Sequence, residues 1–99
     1  MDLKELTRKM HEFVSAKGWY AKNSNHPQTP RNLAISLSLE AAEVMEHFQW
    51  RENSADPEGL AGELADVTLY LLQLASILGI DLEKAVLEKL DRNYNRDWS

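Results

Sequence analysis

The chain contains no cysteine. That removes disulfides as staples and thiolates as zinc ligands, and it gives no support to an oxidising, secreted setting. Strand signals are equally scarce: no stretch alternates apolar and polar residues for long, and neither Asn-Gly nor Asp-Gly is present to turn a hairpin. Glycine and proline number four and three in 99 residues, few enough that each reads as punctuation. Lys and Arg total 11 against 16 Asp and Glu, for a formal net charge of −5. A chain so short of cations is poorly suited to the phosphate backbone of nucleic acid or to an anionic membrane surface. Uninterrupted apolar runs are too short to span a bilayer, and the opening MDLKELTRKMHEFV is a charged amphipathic stretch without the apolar centre of a leader. The expectation is a cytoplasmic protein of one domain, residues 1–99, that engages neither nucleic acid nor membrane.

What is present is helix. Leu3, Leu6, Met10, Phe13 and Val14 recur at helical spacing over residues 2–17, and Gly18 stops them. After the loop WYAKNSNHPQTP, Thr29 has the character of an N-cap with Pro30 at the first helical position, opening a helix expected to run to Trp50. Asp56 and Pro57 repeat that signature before a helix over 58–78, stopped by Gly79, and Asp81 caps a last helix that reaches Tyr94. The fold class expected is all-α, of four-helix-bundle type.

Within the second helix, SLEAAEVMEHFQW carries Glu40 and Glu43 three residues apart, so like charges share a face that Leu33, Leu37, Leu39 and Val44 border. The third helix repeats the pattern in GELADVTLYLLQL: Glu63 and Asp66 lie three apart on a stripe continued by Val67, Tyr70, Leu74 and Ile77. One such pair reads as a partly solvated acid beside a packing seam. Two pairs on successive, antiparallel helices can converge, and four crowded carboxylates need cations; all-oxygen ligation suits Mg²⁺, with Mn²⁺ a substitute. A di-iron bundle is disfavoured because the Glu-x-x-His element is missing: His47 stands four residues after Glu43.

The pattern E-x-x-E, nineteen residues, E-x-x-D, with its surroundings TPRNLAISLSLEAAEVMEHFQW and ELADVTLYLLQLASILGIDLEKAVLEKLDRNYNR, resembles the MazG-like superfamily of all-α nucleoside triphosphate pyrophosphatases, and within it the small MazG-like enzymes and dCTP pyrophosphatases. The likeness covers residues 10–96. It implies Mg²⁺-dependent hydrolysis of a (deoxy)nucleoside triphosphate such as dCTP between the α and β phosphates, a house-cleaning activity on nucleotide pools. The family pattern makes Glu40, Glu43, Glu63 and Asp66 the metal ligands; spacing does not decide which carboxylate takes the water's proton, and Glu43, ahead of Glu40, is the candidate. It also makes Lys89, Asn93 and Arg96 ligands of the triphosphate, and Trp19, Trp50 and Tyr70 positions of the base pocket. A lysine point charge and an arginine fork suit that substrate.

The chain departs from relatives in its loop. They have an aromatic-His pair just before Pro-Arg-Asn-Leu, whereas NSNHPQTPRNL displaces His26 from that place while leaving it within reach of base or phosphates. Two other readings stand beside the enzyme: a non-catalytic helical oligomerisation or regulatory module, and a phosphoribosyl-ATP pyrophosphatase-like enzyme on the same scaffold. Helices two and three are apolar around most of their circumference, and so short a chain offers little to cover them. A homo-oligomer, dimer or tetramer, is therefore expected.

Overall fold

Each helix begins where a short polar side chain supplies an acceptor that the first turn of a helix lacks. Asp2 Oδ1 accepts from Glu5 N at 2.9 Å, Thr29 Oγ1 from Asn32 N at 3.2 Å, Asp56 Oδ1 from Gly59 N at 3.0 Å and Asp81 Oδ1 from Lys84 N at 3.1 Å. The helices that follow in this computed structural model, which describes residues 1–98, are α1 (Leu3–Ala16), α2 (Pro30–Glu46), α3 (Pro57–Ile77) and α4 (Leu82–Tyr94); no strand occurs among the described residues. Ser99, where the expected 1–99 unit ends, lies outside them.

The ends of α1 and α3 are left-handed caps. Gly18, at φ 75°, donates to Ser15 O while Trp19 N reaches Val14 O; Gly79, at φ 70°, donates to Ser76 O while Ile80 N reaches Ala75 O. Both are the paired carbonyl closure for which a residue without a Cβ is preferred.

The second helix is shorter than the expected 30–50. From His47 the amides bond three residues back, His47 N to Val44 O, Phe48 N to Met45 O and Gln49 N to Glu46 O, so the coil tightens and ends. Trp50 then takes φ 71°, the left-handed region, although it is not glycine. His47 Nδ1 meets Ser54 Oγ at 2.8 Å and ties the α2–α3 connection back against this end.

The third helix is the centre of the fold, with α2 paired along it as the most extensive contact, α1 packed on it and α4 barely touching it. The apolar core consists of Met10 and Val14 from α1, Leu33 from α2, and Leu72 and Ala75 from α3; α4 buries nothing. Ile35, Leu39, Leu64, Leu71 and Leu87 remain 41–62% exposed. Contrary to what uninterrupted apolar runs suggest, α3 is by length and composition apolar enough to cross a bilayer, and little of it is buried inside the chain. Its three neighbours within one chain leave most of its apolar circumference open.

Candidate active site

The α2–α3 pairing brings the two acid pairs to one place, as their spacing predicts. Glu40 and Glu63 are half-buried, whereas Glu43 and Asp66 are exposed. Burial away from water raises the Glu40 carboxyl above the ordinary carboxylate range; a hydrogen bond shared with Glu43 and the charges of Glu43, Asp66 and Glu63 push it the same way. Glu40 Oε2 and Glu63 Oε2 are both buried without a hydrogen-bond partner, although Glu63 Oε2 makes an ion-pair contact with His47 Nε2. A buried carboxylate oxygen without a partner, as Glu40 Oε2 is, is costly, and a hard cation is the partner that its chemistry fits. Among the described residues, no three His, Asp or Glu side chains are gathered tightly enough to enclose a metal ion by themselves.

Beside the acids opens a cavity of about 730 Å³, bounded by α1, the 19–28 loop, α2 and α3. This volume falls in the usual range for small-molecule sites. Glu40 and Asp66 form one part of its wall, and Trp19, His26 and Tyr70 line it as well. The indole of Trp19 is held edge-on by Phe13 at 5.6 Å and lies 6.0 Å from the His26 ring. The displaced His26 of this loop thus reaches the cavity, its backbone fixed by a bond from its amide to Ser24 Oγ at 2.9 Å.

Other expected site residues stand apart within one chain. Trp50 is 93% exposed and does not line the cavity, because the left-handed turn after α2 swings it outward. Lys89 and Asn93 lie on α4, which does not border the cavity either. Arg96 does not continue their helical face: α4 stops at Tyr94, and the guanidinium stacks over Trp98 at 4.0 Å.

Several participants were not legible in the motif. Gln73, 3% exposed, is the buried polar residue of α3; its Nε2 donates to Tyr20 OH at 3.2 Å and to Gln28 Oε1 at 2.8 Å. Gln28 Nε2 donates to His26 O at 2.6 Å, and both glutamines line the cavity. Tyr20 accepts from Gln73 and so has its own hydrogen to give His11 Nδ1 at 2.6 Å, leaving His11 Nε2 to meet Ser76 Oγ at 2.7 Å. Burial raises the Tyr20 pKa, which keeps this hydroxyl a donor. A glutamine at position 73, one turn beyond Tyr70 in an otherwise apolar LYLLQLA run, was the available signal. His47 was visible as an imidazole one turn after Glu43, but its contact with Glu63 depends on the early end of α2.

A family model described as MazG-like matches residues 35–97, the span that holds all four acids, Lys89, Asn93 and Arg96. Among curated proteins, dCTP pyrophosphatase 1 of Homo sapiens is 35% identical over 103 residues and that of Rattus norvegicus 34% over 104, each alignment covering 95% of this chain. This chain spans 58% of the length of either. A crystal structure of a pyrophosphatase from Archaeoglobus fulgidus superposes with a TM-score of 0.76 at 34% identity, covering 97% of this chain and 92% of that one.

Proposed function

Because the chain belongs to the MazG-like family, we propose that it is a nucleoside triphosphate pyrophosphatase, hydrolysing a deoxynucleoside triphosphate, dCTP foremost, to the monophosphate and pyrophosphate. The observation that carries this reading is the cavity, which joins an aromatic and amide-lined region to the Glu40–Asp66 wall. A nucleotide has that polarity: a flat ring that stacks on aromatic faces, and an anionic tail that needs cations. The similarity to proteins named dCTP pyrophosphatase supports the choice of dCTP.

Glu40, Glu43, Glu63 and Asp66 would hold Mg²⁺, with Mn²⁺ as a substitute. Bound there, the cation would neutralise charge developing on the triphosphate oxygens and orient them for in-line attack. Mg²⁺ commonly takes one or two carboxylates, keeps waters and completes its shell with substrate phosphates, which suits an open cluster better than a closed cage. The raised Glu40 carboxyl and its buried oxygen without a partner describe a site that is uncomfortable without a cation. Glu43, the exposed member of the α2 pair, is open to solvent and is the carboxylate proposed to take the proton of the attacking water.

The working unit proposed is a homo-oligomer, dimer or tetramer. Five buried apolar side chains leave Leu39, Leu64, Leu71 and Leu87 uncovered, and a second copy would cover them. In such an assembly Lys89, Asn93 and Arg96 would meet the triphosphate across a subunit boundary, and the strained, exposed Trp50 would enter a neighbouring base pocket. The test is a panel of nucleoside triphosphates with Mg²⁺ or with EDTA, read by pyrophosphate release. Release from a deoxynucleoside triphosphate only with metal is the expected result; no release from any nucleotide would reject the assignment.

A further inference from the structure

The pair formed by the buried Gln73 amide and the half-buried Gln28 belongs neither to the acid cluster nor to the aromatic lining, and nothing in a helical core requires it. A glutamine with 3% exposure in the middle of an apolar helix loses the hydration of a full amide. An alanine or leucine there would avoid that cost, and the choice of an amide points to a task. We propose that Gln73 and Gln28 read the hydrogen-bonding edge of the nucleobase, selecting rings that carry an amino group beside a ring acceptor, as in cytosine, over their oxo counterparts, as in uracil. This rests on the pyrophosphatase reading and adds the determinant of its base preference.

The hydrogen-bond inventory fixes what each amide has left to offer. Both hydrogens of Gln73 Nε2 are used, one on Tyr20 OH at 3.2 Å and one on Gln28 Oε1 at 2.8 Å. Toward the cavity it lines, Gln73 can therefore present only its carbonyl oxygen, an acceptor. Gln28 Nε2 uses one hydrogen on His26 O at 2.6 Å and retains the other. The pair thus offers an acceptor next to a donor, the complement of an amino group next to a ring nitrogen. A 4-oxo, N3–H edge would set oxygen against oxygen and N–H against N–H.

The amides cannot simply rotate to suit the other ring. Turning Gln73 would place its oxygen on Gln28 Oε1, acceptor against acceptor. Tyr20 is in turn held by His11, which is held by Ser76 of α3. The network locks one polarity, and desolvated polar groups left facing like groups are what give hydrogen-bonding sites their discrimination.

Position along α3 agrees. Gln73 lies seven residues beyond Asp66, roughly 10 Å of helix rise, with Tyr70 between them on the same wall. A nucleotide laid along this wall sets its ring edge at Gln73 and its phosphates at Glu40 and Asp66.

The test compares kcat/KM within two pairs that differ at one ring substituent, dCTP with dUTP and dATP with dITP, for wild type, Gln73→Met and Gln28→Ala. Each ratio is internal to one protein, so loss of folded fraction cancels. Wild type is expected to favour the amino member of the pair it accepts by about tenfold or more, and both variants to fall within about threefold of parity. If Gln73→Met does not fold, Gln28→Ala, in the loop, carries the comparison. Turnover without amino preference in wild type, or a ratio unmoved in the variants that fold, overturns this proposal alone. No turnover with any nucleotide removes the pyrophosphatase reading beneath it.

Discussion

Replacing Glu40 by glutamine separates the electrostatics of the site from its chemistry. In the metal-free protein Glu40 carries a buried oxygen without a partner, and its carboxyl is raised above the ordinary range by burial first and then by Glu43, Asp66 and Glu63. An acid with a raised folded pKa holds its proton in the fold to higher pH than in the unfolded chain. Its favourable contribution is therefore complete below the ordinary carboxylate range and is lost as pH rises through the folded value. At neutral pH, Glu40→Gln relieves a like-charge helical pair worth a few tenths of a kcal/mol and part of a desolvation penalty of about 1–3 kcal/mol. A net gain of about 1 kcal/mol corresponds to roughly 4 °C or more in Tm for a chain of this length. The assay is thermal unfolding in EDTA at neutral pH and again below the carboxylate range, where the difference should shrink, together with turnover in Mg²⁺, which should fall by about 10² or more. A variant that melts several degrees lower in EDTA at neutral pH, or that keeps near-normal turnover, would refute the reasoning.

Mg²⁺ and a non-hydrolysable dCTP analogue together should raise Tm by more than the sum of their separate shifts, the result expected if both bind the native state at one site; shifts that merely add would speak against a shared site. Ca²⁺, larger and less demanding in geometry, should bind and support little turnover, as enzyme assays with each metal would reveal. Gly79→Ala should cost about 1 kcal/mol, measured by denaturant unfolding: a Cβ there meets nothing within 4 Å, so the penalty comes from the φ of 70° alone. Light scattering should give a multiple of 11.3 kDa, and a fully active particle at that single mass would exclude the proposed assembly.

The helices and three of their caps were readable because each start is a local event: Thr29, Asp56 and Asp81 act within one turn, and Gly18 and Gly79 sit where left-handed closure needs them, whereas Asp2, expected inside the first helix, is its cap. The convergence of Glu40, Glu43, Glu63 and Asp66 was readable because a short connection makes α2 and α3 antiparallel neighbours. The end of α2 was not, since Phe48 and Trp50 continue its apolar pattern and only the tie from His47 to Ser54 shows why the coil closes at Glu46. Long-range hydrogen bonding escaped for the same reason: Gln73 lies 45 residues from Gln28 and 53 from Tyr20, and no periodicity encodes such a pairing. Helical spacing likewise set Lys89, Asn93 and Arg96 on one face, but the angle at which α4 leaves α3 is a tertiary property that this spacing does not carry.

Phosphorus NMR of dCTP incubated with the protein and Mg²⁺ tests the central claim most directly, because it reports which anhydride bond breaks. Equal amounts of dCMP and pyrophosphate, with no signal from dCDP and none of the products in EDTA, are predicted for a metal-dependent pyrophosphatase built on the four acids. Orthophosphate appearing with dCDP, or a dCTP spectrum unchanged by the protein, would contradict it.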